Sequence, residues 1–133
     1  MNARYGRRLA ALALLLALAG CGGRLVKVTG KLTYKSQPVP YTVVKFVPDD
    51  GSRPSEGMTD EQGNFTLQYS RTESGAPRGP GTVALEYGLT GEEGPPKVPK
   101  EVQAVIKKYA DPKKSDLHYE ITGSGQSIEI PLK

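Results

Sequence analysis

Leu25-Val26-Lys27-Val28-Thr29-Gly30-Lys31-Leu32-Thr33-Tyr34-Lys35 is the stretch whose reading decides the fold class. Val26, Val28, Leu32 and Tyr34 take the even positions; Lys27, Thr29, Lys31, Thr33 and Lys35 take the odd ones. Successive side chains of a strand point to opposite faces, so a period of two predicts a strand with one buried and one wet face.

The same signal recurs on the C-terminal side. Ser36-Gln37-Pro38 supplies a turn, and Val39 to Val47 is a second strand rich in β-branched residues, with Val44 and Phe46 inward and Lys45 outward. Glu56 to Thr59 is a short strand. Thr59-Asp60-Glu61-Gln62-Gly63-Asn64 is a hairpin connection with Gly63 where positive φ is needed, and Asn64 to Tyr69 points Phe65, Leu67 and Tyr69 to one side. Val83, Leu85 and Tyr87 share a face of Thr82 to Tyr87; Leu117, Tyr119 and Ile121 alternate with polar residues, as do Ile128, Ile130 and Leu132. Pro131 cannot donate to a ladder, which predicts an edge position for the last strand. Pro48 to Pro54, Ser70 to Gly81 and Gly88 to Lys97 are loops by their Gly and Pro content. The period changes once: Val98, Val102, Val105, Ile106 and Tyr109 have helical spacing, with Pro99 in the first turn, Lys107 and Lys108 near the end, and Pro112 beyond it. The expectation is an all-β, Greek-key β-sandwich of about seven strands with one short helix.

Ahead of the first strand the composition shifts. Arg4, Arg7 and Arg8 precede Leu9 to Ala19, in which every residue is Leu or Ala, and Gly20 and Cys21 follow. A charged segment, a short apolar run and small residues make the pattern of a signal peptide, and the run is too short to span a bilayer comfortably. The organisation expected is residues 1–20 as a signal peptide, 21–24 as anchor and linker, and 25–133 as the folded domain.

The 133 residues carry 18 Lys plus Arg against 14 Asp plus Glu, a formal charge of +4. Removing residues 1–20 takes away three arginines and no acid, leaving 15 against 14. A nearly neutral domain lacks the field that phosphate-backbone binding needs, which argues against nucleic acid as a partner. Cys21 is the only cysteine, so no disulfide supports the domain.

Leu18-Ala19-Gly20-Cys21 resembles a bacterial lipobox. The resemblance implies cleavage before Cys21, a diacylglyceryl group on its thiol and acylation, with palmitate expected, of the new amino terminus. Two or more chains make a stable anchor where one gives only marginal binding. Val28 to Lys35 followed by Pro38-Val39-Pro40, then Val44 to Pro48, then Thr59 to Leu67, together resemble transthyretin-like, carboxypeptidase regulatory-like domains. With Lys108-Tyr109-Ala110-Asp111-Pro112 and Ser115, the whole is similar to a group of small bacterial lipoproteins. One departure stands out: Gly75 to Gly81 leads into Thr82-Val83 without the tyrosine such relatives carry there. The resemblance implies a prealbumin-like sandwich and a non-enzymatic structural or binding role at the cell envelope, on the extracytoplasmic side of a membrane. It supplies no site residues.

Chemistry is sparse in the pattern. Ser115, Asp116 and His118 lie too close together on an extended segment to converge as a triad, and alternation puts His118 on the polar face, so no catalytic residue is expected. Asp49, Asp50, Glu56, Asp60 and Glu61 offer oxygen ligands, but their spacing matches no calcium loop, and neither metal nor cofactor is expected. Arg24, Lys27, Lys31 and Lys35 are a candidate membrane-facing basic patch, because only Gly22, Gly23 and Arg24 separate Cys21 from the first strand. The simpler reading of the lysines is protection of an edge strand. Among the tyrosines most fall on inward positions, and Tyr41 alone has an ambiguous face. The alternative function is carbohydrate or peptide binding through the loops Asp49 to Ser55 and Ser70 to Gly81.

Overall fold

The computed structural model describes residues 25–88, 98–123 and 125–133. Leu18, Ala19, Gly20, Cys21 and Arg24 lie outside them, as do positions 89–97 of the predicted Gly88 to Lys97 loop. The chain forms β1 (Leu25–Val26), β2 (Val28–Tyr34), β3 (Gln37–Pro38), β4 (Thr42–Pro48), β5 (Ser55–Met58), β6 (Asn64–Thr66), β7 (Ala76–Pro77), β8 (Gly79–Tyr87), α1 (Lys100–Lys108), β9 (His118–Ile121) and β10 (Gln126–Leu132). The seven strands expected from alternation correspond to β2, β4, β5, β6, β8, β9 and β10. β1, β3 and β7 have two residues each, too few to carry a period.

Two four-stranded sheets make an all-β sandwich. In the first, β2 pairs in parallel with β10 from Val28↔Gln126 to Tyr34↔Leu132. Its other side is shared by β3 and β6, both antiparallel. The second sheet runs β5-β4-β8-β9 and is antiparallel throughout. β10 is an edge, as Pro131 predicts, but β2 is interior, which overturns the reading of Lys27, Lys31 and Lys35 as edge protection. The partner that covers β2 comes from the far end of the sequence, where no local pattern announces it.

The expected strand from Val39 to Val47 is broken. Val39 donates its N–H to the Leu32 carbonyl of the first sheet, whereas Thr42 begins β4 in the second. Between them Tyr41 takes φ +53, a left-handed value that bulky residues rarely adopt, and it turns the chain from one sheet to the other. The turn before it also differs from expectation: Lys35 and Ser36, with φ of 50 and 66, make a two-residue hairpin between β2 and β3. The 59–64 connection follows its prediction, with Gly63 at φ +77 and Asp60 Oδ1 accepting from the backbone of Gln62 and Asn64.

Val28, Leu32, Phe65, Leu67, Ile128, Ile130 and Leu132 of one layer meet Val44, Phe46, Val83, Leu85 and Ile121 of the other in one buried cluster. Each such side chain removed from water contributes on the order of 1.5–3 kcal/mol. β8 departs from alternation: Gly81 to Leu85 are all buried. The chain from Tyr109 to His118 lies along this strand, with the Tyr109 and Leu117 carbonyls accepting the N–H groups of Leu85 and Val83. α1, nine residues long, is too short to hold its shape unaided and is fixed by burying Ile106, with Tyr109 just past its end.

Candidate ligand-binding groove

Strand register builds a polar row across the outer surface of the second sheet. Lys45 lies opposite Glu56 on β5, and Glu56 exchanges both backbone hydrogen bonds with Gln68, which in turn bridges to Ser74. Lys45 and Glu56 form an ion pair at 3.2 Å, and the Gln68 amide donates to Ser74 Oγ at 3.3 Å. Gly57, next along β5, lets β6 approach closely, because a Cβ there would strike the Thr66 carbonyl.

The loops Asp49 to Ser55 and Ser70 to Gly81 come together beside this row. Arg53 and Pro54 from the first, and Ser70 and Arg71 from the second, join Lys45, Glu56, Gln68 and Tyr69 around a concavity of about 570 Å³. Both loops are held by their own polar groups. Asp50 Oδ1 accepts from the Ser52 N–H at 2.8 Å, and hydrogen bonds from Ser52 hold the Asp50 carboxyl below the usual carboxylate range. Ser70 Oγ accepts from the N–H groups of Thr72 and Glu73, and the Asp49 N–H reaches the Pro80 carbonyl on β8.

The Arg53 guanidinium lies over the Tyr69 ring, 5.8 Å from its centroid, a contact that orients a cation without neutralising it. Tyr69 is thus a site residue and not the inward one expected. β6 ends at Thr66, so the alternation that buries Phe65 and Leu67 does not carry through to Tyr69, which is half-buried. Three cations and one carboxylate line the groove. Glu56 is matched to Lys45, and among the described residues Arg53 and Arg71 have no carboxylate within ion-pairing distance.

The candidate basic patch is arranged differently. Lys27 is exposed, while Lys31 is half-buried on β2 between Glu129 of β10 and Asn64 of β6. There it lines a second concavity of about 580 Å³ on the outer face of the first sheet, with Thr29, Thr66 and Ser127. Lys35 sits in the hairpin turn and pairs with Glu101 of α1 at 2.8 Å, and Tyr34 Oη donates to the same carboxylate. These hydrogen bonds lower the Glu101 pKa, and those of Lys35 with Glu101 and Tyr34 raise that of Lys35.

The remaining candidates are engaged elsewhere. Ser115 is buried and donates to the Val83 carbonyl at 2.6 Å; exposed His118 meets Thr82 Oγ1 through Nδ1 at 3.1 Å. Of the five carboxylates weighed as calcium ligands, Asp50 and Asp60 cap turns, Glu56 pairs with Lys45 and Glu61 accepts from Tyr41 Oη. Among the described residues no three His, Cys, Asp or Glu side chains gather into a metal-binding group.

No family profile matches the chain. No curated protein matches it either. Among solved structures it is similar to a DUF3823 family protein from Parabacteroides merdae, with 12% sequence identity and a TM-score of 0.45. The match covers 84% of this chain and spans about half, 47%, of that one.

Proposed function

We propose that the protein is a lipid-anchored, extracytoplasmic, non-catalytic binding module of the cell envelope, carried on a transthyretin-like sandwich. The observation that carries this reading is Leu18-Ala19-Gly20-Cys21, separated by three residues from the first described strand. Fully extended, Gly22-Gly23-Arg24 reach about 10 Å, so a lipidated Cys21 tethers the sandwich against the bilayer surface. The binding role is favoured over a purely structural one by the convergence of Arg53 and Arg71, from separate loops, on one groove.

Metabolic labelling with radioactive palmitate tests the anchor. The full chain expressed in a bacterial host is expected to take up label and to sediment with membranes, and Cys21→Ala to lose both. An unlabelled wild-type chain overturns the reading.

A further inference from the structure

We infer that the groove between Arg53 and Arg71 binds an acidic polysaccharide, its uronate carboxylates held by the two guanidinium groups. The inference rests on the groove being the ligand site of the proposed binding module.

Charge complementarity carries the choice of ligand. With Lys45 matched to Glu56, the lining keeps two positive charges, and both are arginines. Asp49, Asp50 and Glu73 belong to the same loops, but none of them lines the groove. A guanidinium presents a planar fork of donors that fits a carboxylate with two parallel hydrogen bonds, and such charge-assisted pairs are roughly twice as strong as neutral ones. Arg53 is already oriented by the Tyr69 ring, which reduces the freedom lost when a carboxylate docks.

Another lining group suits the rest of a sugar ring. The Gln68 side chain gives one amide N–H to Ser74 and keeps its oxygen and second N–H for ring hydroxyls beside the arginines. Long-range attraction is weak, since the chain beyond residue 20 is close to neutral, so recognition falls to these short-range contacts and not to a field that gathers polyphosphates. The groove lies open along the side of the sheet, crossing from β4 over β5 to Gln68, which suits a chain that continues past the contact on both sides.

The test is titration of the detergent-solubilised full-length protein with polygalacturonate, with dextran as the neutral control and phosphatidylglycerol vesicles as the anionic-lipid control. Polygalacturonate is expected to bind, dextran not to bind, and Arg53→Gln and Arg71→Gln each to weaken binding about tenfold, with further weakening as salt rises. Arg71→Lys, which keeps the charge and loses the fork, is expected to weaken it as well. Polygalacturonate binding that ignores both arginine substitutions overturns the inference. So do equal binding of dextran and arginine-dependent binding of vesicles in place of the polymer. Dextran binding that is lost in Tyr69→Ala overturns the acidic class yet leaves the groove a ligand site; failure of every probe removes both.

Discussion

The ring of Phe65 lies directly over Gly30, its antiparallel partner across β6 and β2. A Cβ on Gly30 would overlap that ring and the Ile128 carbonyl on the parallel side, so the hydrogen of glycine is what lets three strands close at this point. Gly30→Ala is expected to destabilise the fold by about 1–3 kcal/mol through overpacking, and Phe65→Ala by about 3–5 kcal/mol through the lost ring. The pair should be coupled, because emptying the ring's place relieves one of the two clashes. Urea unfolding of the two single variants and the double variant measures this; a double-variant loss equal to the sum of the single losses contradicts the packing argument.

Ser115 replaces a ladder partner for β8. Its hydroxyl donates to the Val83 carbonyl in a buried setting, beside the Leu117 carbonyl that takes the Val83 N–H. Ser115→Ala strands that carbonyl and is expected to cost about 1–3 kcal/mol. The polygalacturonate binding proposed for the groove should stay unchanged, since Ser115 does not line it. A thermal melt that does not move shows that the bond contributes nothing net.

The clasp of Lys35 and Tyr34 on Glu101 gives the docking of α1 a pH dependence. The Glu101 pKa is lowered in the fold, first by the Lys35 hydrogen bond and then by that of Tyr34, so its contribution is present above the unfolded carboxylate value, about 4. It is lost as pH falls through the lower folded value. The raised Lys35 pKa works in the opposite sense: its contribution is full below the ordinary lysine value and disappears as alkaline pH rises through the folded one. Both groups are well exposed, so the effect is small. Melting temperatures of wild type and Glu101→Gln are expected to differ slightly near neutrality and to converge in acid; a constant gap across that range would exclude the clasp as its source.

The long alternations were legible because a half-buried strand writes its two faces into its own residues. Val28 to Tyr34 and Ile128 to Leu132 show their inward sets directly, and Ile106 and Tyr109 show the helix. What stayed hidden depends on contacts between distant segments. The Tyr109 to His118 stretch pairs along β8, where Thr82 and Ala84 are buried on the face that alternation makes wet, and β10 removes β2 from the edge. Tyr41 breaks a strand that its neighbours would otherwise continue. For the groove, the two loops are recognisable by composition, but their meeting is set by the Glu56 to Gln68 bridge, and Tyr69 leaves the inward face because it lies beyond the strand that sets the period.

The parallel pairing of β10 with β2 has a consequence for the order of folding. The strand at the centre of the first sheet acquires its full set of partners only when residues 126–132 are in place, so that sheet is completed late. Contacts between such distant segments form slowly, because closing the long intervening loop must precede any gain from them. A chain of this topology leaves one side of β2 unpaired until the β10 segment docks. β10 then acts as the latch that completes the first sheet.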